Sequence, residues 1–245
     1  MLKKIFIIAI IIFVSISVSL FYLFTKYEDE DIAEVEIIKT VSKPIVSWQK
    51  ITITEQEENI SISITVPRII IFSHYDLGAN VNKTITWFIE LFKNDFISTV
   101  STASMENGET NTLNVDTEVL LITPRLISLA FIKTKHFAGI KDGDPERTFL
   151  VFDLVNGKQM MEGNGLFRDD SAWAKAAKIM ETLLLTNYQG DPNCDLLFAP
   201  KYNGFAASCI GIDWNRGERV SITKNIPLSM LQEFLTPSVL SDIIQ

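Results

Sequence analysis

Beyond residue 44 the sequence predicts an α+β fold, with antiparallel sheets built from hairpins and amphipathic helices packed on them, behind one N-terminal transmembrane helix. Three observations carry that prediction. Strand-like runs recur at 45–66, 115–137, 148–160, 195–214 and 219–227, the first with clear period-two alternation. The apolar spacing switches to that of a helix at 80–96 and again at 170–190. Asn-Gly pairs at 156–157 and 203–204 sit where hairpin turns belong. Helices follow pairs of strands rather than every strand, which separates this pattern from a doubly wound sheet. The expected organisation is a signal anchor at 1–26, a juxtamembrane stalk at 27–44, a hairpin-plus-helix subdomain at 45–115 and an α+β subdomain at 116–245.

The leader reads MLKKIFIIAIIIFVSISVSLFYLFTKYEDED, and Ile5–Phe24 is a run of 20 residues without a charge. At about 1.5 Å per residue such a helix matches the roughly 30 Å hydrocarbon core of a bilayer. A cleaved signal peptide has a shorter apolar core, roughly 7–15 residues, before small residues at the cut. Ser17 and Ser19 could form such a site, but cleavage there leaves the apolar stub LFYLF on the mature chain. An uncleaved anchor is therefore favoured over a secreted product. Lys3 and Lys4 precede the run and an acidic cluster, Glu28 to Asp31, follows Lys26. Basic flanks stay on the cytoplasmic side, so residues 27–245 are expected outside, with the lipid bilayer as the partner of residues 5–24.

The expected extracytoplasmic part carries 19 basic and 30 acidic residues, an excess of eleven negative charges. That balance argues against nucleic acid and is compatible with a cationic protein partner. Cys194 and Cys209 are the two cysteines. Fifteen positions apart in an oxidising compartment, they are either a disulfide or a pair of buried thiols. The histidines, His74 and His136, are far apart and no Cys-x-x-Cys occurs, so neither metal nor cofactor is expected.

Taken in order, Ile51 and Ile53, then Ile60, Ile62, Ile64 and Val66, alternate with polar residues on two strands. EQEEN at 55–59 reads as their loop, and Pro67 as the end of the second strand or an edge position. Val81, Ile85, Phe88, Ile89, Phe92 and Phe96 form one stripe of a four-turn helix. Two strands are expected around Thr123-Pro124-Arg125. A helix capped near Asp170 or Ser171 runs towards Gly190 with Trp173, Ala177, Met180, Leu184 and Tyr188 on its core face. Another hairpin turns at Asn203-Gly204. A last strand precedes PLSMLQEFL, read as a helix because proline opens its first turn, and SVLSDIIQ closes the chain.

Enzymatic readings fare poorly. Two histidines do not make a zinc deacetylase site, which needs several His and Asp ligands around an open position. There is no Gly-x-Ser-x-Gly, although a spatial triad needs no linear motif. Asp142, Asp144 and Glu146 alternate as calcium ligands do, but Arg147 stands where the loop site needs glycine, and a turn stabilised by aspartates is preferred. No catalytic residue is assigned. Tyr202 and Trp214, beside polar turns, are the binding candidates, because exposed aromatics stack on sugars or anchor protein partners.

The segments ISITVPRI and VNKTITWFIELF, then VLLITPRLISLAFIKTKHFAG, then TFLVFDLVNGKQM followed by GLF, then DLLFAPKY and VSITKNIPLSML occur in an order and spacing that resembles a known family. It is the extracytoplasmic domain shared by anti-sigma factors that act as lysozyme receptors and by the non-catalytic part of certain peptidoglycan deacetylases. The resemblance spans about residues 45–236. It implies a domain outside the membrane that binds peptidoglycan or a cationic lysozyme-like protein of the envelope, without a cofactor. Peptidoglycan hydrolysis or deacetylation, or a structural role in an envelope complex, are the alternatives. Only MLKK precedes the apolar run, too little for a folded sigma-binding segment.

Overall fold

The computed structural model describes residues 46–57, 59–72, 75–102, 110–139, 143–155, 157–160, 165–190, 192–215 and 217–244. The leader, the stalk, His74 and Asp142 lie outside the described residues. Among the described residues no helix is long and apolar enough to cross a membrane.

β1 (Val46–Glu57) and β2 (Ile60–Ile71) form an antiparallel ribbon in continuous register from Val46↔Ile71 to Glu57↔Ile60. Glu55, Gln56 and Glu57, expected in the loop, continue β1. Pro67 does not end β2; the strand runs four residues past it. The long helix α1 (Tyr75–Thr102) extends beyond the expected 80–96 at both ends and crosses to β3 (Asn111–Ile122). β3 then pairs with β2 in parallel, over Ile60–Ile64 and Asn111–Val115. The sheet is therefore mixed rather than purely antiparallel. The reason is physical: a parallel pair needs a crossover of a dozen or more residues, which α1 and its linker supply. β4 (Leu126–His136), β5 (Glu146–Asp153) and the short β6 (Lys158–Gln159) complete a six-stranded sheet in sequential order. Asn156 lies outside the described residues, and Gly157 takes the positive φ of 65° that its turn requires.

Residues 43–245 form one compact unit. The division expected at 115/116 runs through the middle of β3, between strands of the same sheet.

One face of the sheet buries Ile62, Ile64, Leu113, Leu129, Phe131, Leu150 and Phe152 against the α1 stripe Val81, Ile85, Ile89, Phe92 and Phe96. The stripe read from sequence is the buried one, save that Phe88 is only partly covered. On the opposite face, Ala130, Ala199 and Ala206 let a second, three-stranded sheet approach through small side chains beside Leu120 and Val151. A bulge between Val119 and Leu121 inserts Leu120 at this junction.

That second sheet is β7 (Pro192–Lys201), β8 (Gly204–Asp213) and β9 (Glu218–Pro227), all antiparallel. It is covered by α2 (Asp170–Leu185), whose first turn is capped by the Asp169 carboxylate accepting from the Ala172 N–H at 2.8 Å. The buried α2 residues are Ala172, Ala176, Met180 and Leu184, so the face is turned by one residue from the expected Trp173 and Ala177. Trp173 sits at the margin, packed on Phe167 and Phe198. PLSMLQEFL forms only a 3-10 turn at Leu228–Met230, whereas Pro237–Ile244 forms the terminal helix α3, with the proline at its first position.

Candidate functional site

The two aromatic binding candidates lie at opposite ends of β8. Tyr202 stands in the β7–β8 turn; its hydroxyl donates to the Ile122 carbonyl at 3.0 Å and so ties that turn to the end of β3. Trp214 stands in the β8–β9 turn and is exposed. Below it the buried Asp213 carboxylate accepts from the Tyr188 hydroxyl at 2.9 Å and from the Asn215 N–H at 3.0 Å. Ten residues at about 3.3 Å each put some 30 Å between the two turns, too far for one ligand ring to touch both side chains. Cys194 and Cys209 are joined across β7 and β8, with Cα atoms 5.4 Å apart. Gly211, opposite Cys194 in the ladder, leaves the room for that approach: a Cβ there would collide with the Asn193 carbonyl and Cys194.

A large cavity lies elsewhere. A groove of about 570 Å³ opens between the β1–β2 ribbon and α1. Its walls are mostly hydrocarbon, from Ile51 and Ile53 on β1, Pro67 and Ile70 on β2, and Ile85 and Ile89 on α1. Beside the groove, β2 keeps its pairing with β3 only as far as Ile64. Beyond that point the free edge of β2 is closed by side chains instead of a strand. The Thr117 hydroxyl donates to the Thr65 carbonyl at 2.8 Å. The Asn82 carboxamide accepts from the Ile69 N–H and donates to the Ile69 carbonyl, both at 2.8 Å. One amide thus imitates the ladder partner that β3 no longer provides. The buried positions of β2 change phase here, from Ile62, Ile64 and Val66 to Ile69 and Ile71. On the rim, Lys93 bonds Glu55 at 2.6 Å and approaches Glu90 at 3.5 Å. The hydrogen bond that Lys93 donates to Glu55 is the main cause that raises the Lys93 pKa above the ordinary lysine value, against the opposing effect of burial.

A second cluster joins the two sheets. The Glu146 carboxylate bonds Lys133 of β4 at 2.8 Å and Arg219 of β9 at 2.6 Å. Lys133 also lies over the Phe92 ring, 4.9 Å from its centre. Nearby, Lys135 bonds Asp95 of α1 at 2.5 Å. That hydrogen bond, aided by the charges of Lys133 and Arg219, holds the Asp95 carboxyl below its usual range although burial pushes the other way. Each of these cations is paired with a carboxylate, Asp144 also lines the cleft beside them, and that cleft measures only about 150 Å³. The arrangement is a clamp between β4, β5 and β9. Glu146 spends both oxygens on cations, so its place is the start of β5 in this clamp and not a calcium loop. Among the described residues no group of three His, Cys, Asp or Glu side chains is placed to hold a metal ion.

The sequence reading missed both the groove and the clamp. Lysines at 133 and 135, directly after the apolar run Leu129–Ile132, were the available signal for the clamp. Nothing local signalled the groove, because Ile51 and Ile53 alternate as they would on a covered strand.

A mixed six-stranded sheet with one long crossover helix, backed by a three-stranded sheet, places the chain among α+β proteins. A crystal structure of a DUF3298 family member from Bacteroides fragilis superimposes with a TM-score of 0.56 at 12% identity, over 82% of this chain and 98% of that one. A DUF3298 protein from Pseudomonas aeruginosa aligns with a TM-score of 0.47 at 14% identity, over 81% and 97% of the two chains. DUF3298 is the domain shared by the lysozyme-receptor anti-sigma factors and the peptidoglycan deacetylases named above. At this identity the likeness is one of fold. No family model matches the sequence, and no curated protein matches it.

Proposed function

We propose that residues 45–245 are a non-enzymatic binding domain held outside the cytoplasm by the N-terminal span, and that the ligand is a cationic, lysozyme-like protein of the envelope. The groove between the β1–β2 ribbon and α1 is the observation that carries this reading. It is concave, mostly apolar and built on rigid elements, as binding sites are. Ile51 and Ile53 reach it from a strand whose last ten residues are exposed. The excess of eleven negative charges in residues 27–245 suits a cationic partner and speeds its arrival. The shared DUF3298 fold and the order of segments point to the same class of domain.

Peptidoglycan is the other ligand that the resemblance implies. The groove favours the protein ligand, because its walls are aliphatic and its one central amide is already bonded to Ile69. Sugar sites depend on free polar groups and stacking faces, and here Tyr202 and Trp214 do not share a surface. The test is retention of the detergent-solubilised full chain on immobilised lysozyme and on purified insoluble peptidoglycan. Retention on lysozyme that falls with rising salt is expected. Retention on peptidoglycan alone transfers the reading to the glycan, and retention on neither removes it.

A further inference from the structure

Among the described residues, β1 and β6 form the margins of the larger sheet, and β7 and β9 those of the smaller. A strand margin is a template on which another chain can pair, and folded proteins blunt it by shortness, proline, charge or cover. Three of these margins are blunted. β6 has two residues. β7 carries Pro192 and Pro200, which have no N–H to offer. β9 is tied to the start of β5, because Arg219 bonds Glu146 at 2.6 Å and the Ser221 hydroxyl donates to the Pro145 carbonyl at 2.9 Å. β1 has none of these devices. It runs for 12 residues without proline, and no bulge interrupts its register against β2. Its lysine, Lys50, is directed across β2 to Asp116 of β3, 3.7 Å away.

The sequence of β1 is also complementary to itself when reversed about Thr52. With a second β1 laid antiparallel and Thr52 opposite Thr52, Ile51 falls opposite Ile53 and Gln49 opposite Glu55, each twice. Lys50 meets Thr54, Trp48 meets Gln56 and Ser47 meets Glu57. Apolar side chains thus face apolar ones, carboxamides can donate to carboxylates, and no like charges are opposed. A two-fold axis keeps every side chain on its own face of the joined sheet, so the centre of pairing moves only by whole residues. Moving it to Ile51 sets Gln49 against Ile53, and moving it to Ile53 sets Glu55 against Ile51. Thr52 is the centre that avoids both mismatches.

We propose that β1 is the interface between two copies of this chain, joined about Thr52 into one continuous sheet. The pairing runs from Ser47 to Glu57 on each copy, and the outward N–H and C=O groups of β1 gain ladder partners. It is isologous and closes at two copies. The axis stands perpendicular to the joined sheet, so both α1 helices lie on the same face. Ile51 and Ile53 already line the groove of their own copy. The partner's Ile51 and the partner's Ile53 continue that apolar floor, which makes each groove one half of a trough with a helix on either side. This consequence for binding rests on the groove reading above, whereas the pairing itself does not.

The test uses the solubilised full chain with one added cysteine; Cys194 and Cys209 are already bonded to each other. In Thr52→Cys the two added residues stand directly opposite, within the roughly 4.4–6.8 Å between Cα atoms that a disulfide accepts. In Thr54→Cys they lie four strand positions apart, roughly 14 Å. Mild oxidation should link several-fold more of Thr52→Cys than of Thr54→Cys on a non-reducing gel, and equal linking overturns the pairing. By light scattering the native chain should show twice the protein mass of Thr52→Lys, which sets two lysines against each other at the centre. A native chain that is monomeric at about 0.1 mM leaves the margin to some other strand and overturns the pairing, as does a Thr52→Lys chain that is still dimeric. A native dimer that does not retain lysozyme removes the groove reading and leaves the pairing standing. A monomeric Thr52→Lys chain that binds lysozyme as tightly as the native dimer overturns the shared trough.

Discussion

The two ends of the chain's folded part are built in different ways. Around β7–β9 and α2 the core is closed by rings and a covalent tie: Phe167, Phe198, Phe205 and Trp173 pack at centroid distances of 4.9–6.3 Å, Met180 is fully covered, and a disulfide joins two strands, while two smaller clefts of about 290 and 460 Å³ flank α2. Around β1, β2 and the flank of α1 the packing is open. β1 pairs on one side only, ten of its twelve residues are exposed, and an apolar groove lies between the β1–β2 ribbon and α1. Both regions are rich in large hydrophobic residues. The difference lies in whether a second layer covers them, and an apolar surface that the fold leaves uncovered is the surface available to a partner. On the reading proposed above, the closed core carries the larger share of stability and the open region is the proposed recognition surface.

Substitutions can break or sharpen that contrast, and the largest effect is expected in the closed core. Phe205→Ala removes a fully buried ring and should lower unfolding stability by about 3–5 kcal/mol, whereas Ile51→Ala at the open groove should cost less than about 1 kcal/mol. Urea denaturation of both variants compares them directly; equal losses would erase the distinction. Next comes the clamp between the sheets. Glu146→Ala leaves Lys133 without its carboxylate in a nearly buried position and frees Arg219. A loss of roughly 3 kcal/mol is expected, at the lower end for broken buried pairs because Arg219 reaches solvent. Glu146→Asp, which keeps the charge, should recover part of it.

Asn82→Ala should cost about 1–3 kcal/mol, since both the N–H and the carbonyl of Ile69 lose their partner. The loss should be local, seen as faster amide exchange at Ile69 than in β4. A uniform change in exchange would count against the role given to that amide. The smallest effect belongs to Asp95. Its carboxyl is held below the usual range by Lys135, so its contribution is fully present above the unfolded-state value and fades as pH falls through the lowered one. The pair is partly exposed, so only a few tenths of a kcal/mol are expected. Asp95→Asn should flatten that acid-side slope slightly and leave the neutral-pH stability nearly unchanged.

Much of the fold is legible in local pattern. The α1 stripe from Val81 to Phe96 is carried by spacing alone, and the turns at Thr123–Arg125 and Asn203-Gly204 by residue type. What local pattern does not contain is which strand lies beside which. The parallel pairing of β2 with β3 depends on a helix crossing between them, and Ile60–Ile64 reads the same whether its neighbour runs parallel or antiparallel. Glu146 follows KDGDP and so reads as a loop residue, until Lys133 and Arg219, far away in sequence, reveal why a carboxylate is buried there. The one-residue turn of α2 has a similar cause. Ala172 and Ala176 face the sheet because Trp173 is too large to lie beneath the helix and packs at its margin on Phe167 and Phe198. The groove was hidden for the same reason as the pairing: it is made by residues of β1, β2 and α1 that meet only in the folded chain.

The measurement that bears most directly on the open region as a recognition surface is a calorimetric titration of the solubilised full chain with lysozyme, for the native chain and for Ile53→Asp. The account predicts saturable binding by the native chain and at least about tenfold weaker binding by the variant, a difference of about 1.4 kcal/mol, with the same urea midpoint for both. Equal affinity of the two chains for lysozyme would place recognition outside the groove and contradict it.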